Sequence, residues 1–164
     1  MCFRIETARP RDVPRIFALV RALAEYEKLT HLVSGTEAEL HEELFGERPV
    51  IECVLGWNDE QAVGFALYFY NFSTFLARRG LYLEDLFVVP AARGRGYGKA
   101  LMQYLAQLAV ERGCGRFEWS VLDWNQPSID FYRSFGAELL PDWRICRLTG
   151  NALTSFAGGS DRTP

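Results

Sequence analysis

Hydrophobic and polar positions change period several times along the chain, and each change marks an element. Phe3–Thr7 alternates as a short first strand. From Val13 onward the apolar residues Val13, Ile16, Phe17, Val20, Leu23 and Ala24 follow helical spacing, with Asp12 placed to cap the start. Thr36, with Glu39 three residues on, makes a capping box ahead of Leu40, Leu44 and Phe45, and Gly46 can stop that helix. Residues 50–56 and 62–71 read as strands joined by the polar turn Asn58-Asp59-Glu60, and 80–89 as a third long strand ended by Pro90. An amphipathic helix over 95–112 sets Leu101, Leu105, Leu108 and Ala109 on one face and ends at Gly113 and Gly115. Residues 116–122 return as strand, a short helix runs from about Pro127 to Phe135, and 137–149 is expected to be the last extended segment. Strands alternating with helices, with no internal repeat or long linker, predict an α/β (α+β) sandwich around one mixed sheet. A single domain is expected over residues 1–157, with 158–164 as a frayed tail.

Composition narrows the class. At 164 residues, 49% apolar and 24% charged, the chain has material for one substantial core. A net charge of −3 offers no basic field to nucleic acid. No apolar run approaches the ~18 residues of a membrane span, and the polar opening does not read as a signal peptide. Cys2, Cys53, Cys114 and Cys146 are scattered, without CxxC or Cys/His spacing, so free thiols in a cytoplasmic protein are expected. His31 and His41 lie in a polar stretch without companion ligands and read as surface residues, not as metal ligands.

The chemistry concentrates in residues 84–101, EDLFVVPAARGRGYGKAL. A strand ends, a loop turns, and Arg93-Gly94-Arg95-Gly96-Tyr97-Gly98-Lys99 runs straight into a helix. Glycines allow close approach of the backbone to a ligand, and the free N–H groups and dipole of a helix start attract an anion. Arg93, Arg95 and Lys99 add positive charge, so the stretch points to a phosphate or pyrophosphate. A P-loop fails here because Arg93 stands where glycine is required and Ala100 where a hydroxyl is required. A dinucleotide fingerprint fails on spacing and on its late position.

The pattern R/Q-x-x-G-x-G/A after a strand is met by Arg93, Gly96 and Gly98, and it resembles the pyrophosphate loop of the GNAT acetyltransferases. Some thirty residues on, Asp123-Trp124-Asn125-Gln126-Pro127-Ser128-Ile129-Asp130-Phe131-Tyr132, followed by a Gly136-Ala137 turn, resembles that family's second signature. Read from the residues alone, Asn125 is a helix cap and Tyr132 a helical tyrosine of the kind usually spent on packing. Residues 23–27 (LAEYE), 44–46 (LFG), 82–85 (YLED) and 121–126 (VLDWNQ) are similar to the diamine and thialysine acetyltransferases within it.

That resemblance implies the GNAT fold: a mixed, mostly antiparallel sheet flanked by helices, with acetyl-CoA in a cleft between two splayed strands. It implies pantetheine alignment by Leu86, Phe87 and Val88 and a pyrophosphate cradle from Arg93 through Lys99. Asn125, Gln126, Pro127 and Ser128, with Phe135, would flank the rest of the cofactor. It makes Tyr132 the acid for the departing thiolate and Glu84 a catalytic residue that orients the amine and is expected to be its base, directly or through water. Tyr26, Glu27, Asp85 and Asp142 would line the substrate channel. A solvated strand carboxylate remains the plain alternative for Glu84, and pairing with a neighbouring arginine the alternative for Asp85. The chain departs from spermidine acetyltransferases at residues 70–76 (YNFSTFL), which lack their Asp-Pro-Trp segment, and at Pro141-Asp142-Trp143, which is shorter and less acidic. A lysine-like or short diamine substrate is therefore expected over spermine, by direct transfer in a ternary complex. A homodimer is implied as well. A protein N-acetyltransferase and a non-catalytic acyl-CoA-binding module are the other classes left open.

Overall fold

Five strands lie in one sheet in the order of the chain, β1 (Phe3–Thr7), β2 (Glu52–Asn58), β3 (Gln61–Ser73), β4 (Arg78–Val88) and β5 (Phe117–Trp119). The first four pair antiparallel and β5 runs parallel to β4. Parallel neighbours need a crossover, and α3 (Tyr97–Glu111) supplies it. The sheet is mixed and does not close into a barrel. The computed structural model describes residues 3–158; Cys2 and the tail beyond Gly158 lie outside them. The chain falls into two units, residues 1–120 and 121–164.

In the first unit, α1 (Val13–Glu27) and α2 (Glu37–Phe45) cover one face. Ile16, Leu19 and Leu23 of α1 and Leu44 of α2 form one core with Leu55, Trp57, Phe65, Leu67 and Phe87 of the sheet. The alternation of strand side chains puts Ala66 and Tyr68 on the opposite face, where α3 buries Leu101 and Leu105 completely. The capping box forms as read: the Glu39 N–H donates to Thr36 Oγ1 at 3.2 Å and the Thr36 N–H to Glu39 Oε2 at 2.8 Å. Asp12 stands at the start of α1 but does not cap it. Its carboxylate accepts from the Arg9 N–H at 3.0 Å, closing the short 3₁₀ turn before the helix.

In the second unit, α4 (Gln126–Arg133) is capped by Asn125, whose Oδ1 accepts from the Ser128 N–H at 3.4 Å. It ends at Arg133, and the turn that follows is closed by Gly136, which is left-handed at φ 91°. The N–H groups of Gly136 and Ala137 there turn back to the carbonyls of Arg133 and Tyr132.

Two extended segments differ from the sequence reading. The strand expected over 116–122 is only Phe117–Trp119. Residues 134–149 contain no strand at all, and an unexpected helix, α5 (Gly150–Gly158), follows them. Alternation in 137–149 is a real β signal, but a strand exists only where a neighbour accepts its hydrogen bonds, and the unit provides none.

Candidate active site

The glycine loop has the backbone of an anion cradle. Gly94 and Gly96 are left-handed (φ 76° and 82°), and a Cβ built on either meets nothing within 4 Å. The constraint is thus conformational, since a side chain would fit the space but strain the backbone. Gly96 caps α3 with no side-chain hydrogen bond. The Ala100 N–H closes the first turn on the Gly96 carbonyl at 3.0 Å. The N–H groups of Tyr97, Gly98 and Lys99 have no intrahelical acceptor and point outward at the positive pole of the helix. Arg95 and Lys99 are exposed beside them. The side chain of Tyr97 serves differently. Its ring stacks on Phe3 at 4.0 Å and its hydroxyl donates to Asn58 Oδ1 at 3.4 Å, so it anchors the helix start to β1 and β2.

One strand connects this loop to the acids. β4 pairs with β5 only through Leu81, Tyr82 and Leu83. Among the described residues no strand pairs with that edge beyond Leu83, and of its backbone groups the Val88 carbonyl is taken by the Arg93 side chain. The same stretch carries a β-bulge: Leu83 pairs with Tyr68 and Asp85 with the adjacent Leu67, leaving Glu84 as the extra residue. Without the bulge, Leu83 and Asp85 would share a face. With it, Asp85 follows Leu67 and Phe87 onto the α1 side and Leu83 follows Tyr68 onto the α3 side.

Three carboxylates therefore gather at the bulge. Asp85 is raised to about 6, first by burial and then by the charges of Glu84 and Glu27. Burial also raises Glu27, in the last turn of α1. Glu84 is exposed. Asp85, weighed from sequence as the partner of an arginine, pairs with none among the described residues; carboxylates surround it instead. A site that concentrates uncompensated negative charge favours a cation.

Arg93 joins the two regions. Its Nε donates to the Val88 carbonyl at 2.9 Å. Its guanidinium lies 4.3 Å over the ring of Tyr26 and 5.4 Å from that of Phe87. At this exposure the Tyr26 contact contributes about 0.5–1 kcal/mol. Sequence reasoning placed Tyr26 in the channel and Arg93 in the cradle, but the contact between them, which closes only in three dimensions, could not be read from spacing.

In the second unit the residues of the second signature serve α4 first. Asn125 is buried and spends its side-chain oxygen on the cap; Gln126 Nε2 donates to Asp130 Oδ1 at 2.6 Å, and Pro127 sits in the first turn. Ile129 is buried, while Tyr132 forms an aromatic group with Phe131 and Phe135 at 5.4 and 6.1 Å. Asp142 lies in an exposed turn. Among the described residues no group of His, Cys, Asp and Glu could hold a metal ion, and no helix is long and apolar enough to cross a membrane.

The strand edge, glycine cradle and bulge form one candidate site along β4, and comparisons with known proteins give its class. Residues 7–137 match the model of the acetyltransferase (GNAT) family. The chain belongs to that family. It is 35% identical to an L-ornithine N5-acetyltransferase of Arabidopsis thaliana, over 95% of this chain and 88% of that one. It is 36% identical to a thialysine N-epsilon-acetyltransferase of Mus musculus, over 94% and 97%. Among solved structures, an integron cassette protein from the mobile metagenome of V. cholerae superposes with a TM-score of 0.81 at 26% identity, over 97% and 99%.

Proposed function

We propose that this acetyltransferase moves the acetyl group of acetyl-CoA to a primary amine of a small molecule that is lysine-like, ornithine-like or a short diamine. The observation that carries the substrate side is the convergence of Glu27, Glu84 and Asp85 at the β4 bulge, on the same strand whose open edge ends at the phosphate cradle. The relatives named for ornithine and thialysine support the class. Acetyl-CoA fits the residues present. The N–H groups at the start of α3 suit a pyrophosphate, the left-handed Gly94 and Gly96 set the backbone that presents them, and the strand edge at Leu86, beyond the end of β5, suits the amides of a pantetheine arm. When bound, it supplies an activated thioester.

The chain's own residues then have three tasks. The first is to attract the ammonium, and the mutual repulsion of the three carboxylates, relieved by a cation, does this. The second is deprotonation: a protonated alkyl amine with pKa near 10.4 cannot attack, and exposing its neutral form costs about 4 kcal/mol at neutral pH. An ordinary carboxylate is a poor acceptor. Asp85, raised to about 6, narrows the transfer by about 3 kcal/mol, so it receives the proton directly or through water, with Glu84 and Glu27 orienting the amine. The third is proton donation to the departing sulfur, which the family signature assigns to Tyr132. Transfer is direct. Cys53 is buried with its thiol pushed far up by burial, so it is no nucleophile.

We read both units as one catalytic domain, since the family match spans 7–137. We propose a homodimer, supported by the apolar surface of the second unit, where Trp143, Ile145 and Phe156 are 80%, 74% and 79% exposed. The free thiols of Cys53, Cys114 and Cys146 suit a reducing cytoplasm.

The test is thiol release from acetyl-CoA with thialysine, lysine, ornithine, short diamines and spermidine, beside Tyr132→Phe. Amine-dependent release, with kcat lowered about 10²- to 10⁴-fold in the variant, is expected. Binding of acetyl-CoA without release to any amine would move the assignment to a protein substrate or a non-catalytic module.

A further inference from the structure

The first residue of the cofactor loop makes its resolved contacts on the amine side. Arg93 is tied to the end of β4 by its Nε hydrogen bond to the Val88 carbonyl (2.9 Å), and its guanidinium lies 4.3 Å over Tyr26 in the last turn of α1. The Tyr26 and Phe87 rings stand 6.4 Å apart, and the guanidinium lies 5.4 Å from the centre of the second. Tyr26 is next to Glu27, and Phe87 is two residues from Asp85 on the same face of β4. These two carboxylates come from different elements, α1 and β4, which meet here through the Tyr26 and Phe87 rings and the Arg93 side chain between them. The helix ends there, with Lys28 left-handed at φ 61° and the Leu29 N–H closing the last turn on the Ala24 carbonyl at 2.8 Å, so Tyr26 and Glu27 sit in its final turn.

From this geometry we infer that Arg93 is a positioning residue for the amine pocket: through Tyr26 and Val88 it sets the separation of Glu27 and Asp85. Its planar guanidinium suits the task, because one edge donates to a carbonyl while the face covers a ring. Lysine retains the charge but has neither the Nε–H nor the plane. A residue that only attracted phosphate would be largely replaced by lysine, whereas a clamp would not. The same side chain therefore links the loop that takes the cofactor to the pocket that takes the amine.

The inference rests on the acetyltransferase reading, and the experiment separates the two. Steady-state KM values for amine and for acetyl-CoA are measured in the wild type, Arg93→Lys, Tyr26→Leu and the double variant, with circular dichroism confirming that each is folded. The expected result for Arg93→Lys is a five- to tenfold rise in the amine KM, with the acetyl-CoA KM within about twofold of wild type. Tyr26→Leu shows the same selective rise, and the double variant is little worse than either single one, because both remove one contact. A rise confined to the acetyl-CoA KM, or independent multiplication of the two single effects, overturns the inference. If the wild type transfers acetyl to no amine, it is the functional reading that fails. Should Tyr26→Leu not fold, Arg93→Lys by itself still decides: a raised amine KM with the acetyl-CoA KM unchanged supports the clamp, and an unchanged amine KM overturns it.

Discussion

At the scale of single residues, the site turns on a carboxylate whose charge the protein disfavours. Asp85 is held at about 6 by burial, Glu84 and Glu27, against 3.8 for an ordinary aspartate. The folded state therefore binds this proton more tightly than the unfolded chain. Stability from this group is present below pH 4, declines as pH rises between about 4 and 6, and stays lowered above. Asp85→Asn is expected to lower kcat/KM for the amine by at least about 100-fold. It should also stabilise the protein at pH 8 by about 1–2 kcal/mol, less than the full value of the shift because water screens the group. Denaturant melts at pH 8 and pH 4 check this: the gain should vanish at the lower pH. Glu84→Gln should cost activity with a smaller gain, since it removes only the Glu84 share of the Asp85 shift and leaves the burial. The rise of amine kcat/KM through pH 6 should disappear in Asp85→Asn.

At the scale of elements, function depends on two backbone departures. The left-handed glycines of the loop set the N–H groups of α3 outward, so Gly96→Ala should raise the acetyl-CoA KM, with strain of about 1–2 kcal/mol at that residue. Amine KM, read in the same assays, should change much less. The bulge at Glu84 is the other departure, and it alone brings Asp85 to the face of α1. A contrasting case is the capping box of α2, which lies outside the site. Thr36→Ala should lower stability by about 0.5–2 kcal/mol in urea melts and leave both KM values unchanged.

At the scale of the whole molecule, the proposed cofactor and amine sites lie along one strand. β4 is paired with β3 along its length but with β5 only as far as Leu83, and the bulge begins where that second pairing ends. Parallel pairing with β5 requires the crossover through α3, and the start of that crossover is the anion cradle. The second unit carries the Tyr132 signature and an exposed apolar surface. If that surface is a dimer interface, light scattering should give twice the mass of one chain, and charged substitutions at Trp143 and Ile145 should reduce it to one.

Local interactions were legible in the chain itself. The helices of the first unit, the Thr36–Glu39 box, the Asn125 cap and the glycine loop all depend on neighbours within a few residues. Periodicity and capping chemistry report such neighbours directly. The type of chemistry was legible too, because the glycine loop points to a phosphate ligand and the two signatures together resemble those of the GNAT acetyltransferases. What required the tertiary structure involves partners far apart in sequence. Residues 137–149 alternate like a strand yet have no neighbour to pair with. Asp12 faces Arg9 and Arg15 instead of capping its helix. The face that Asp85 occupies depends on one unpaired residue in the register against β3, and the clamp of Arg93 on Tyr26 spans 67 positions between residues 26 and 93. Spacing along a chain carries no information about a one-residue slip between strands, and such a slip decides which side chains meet.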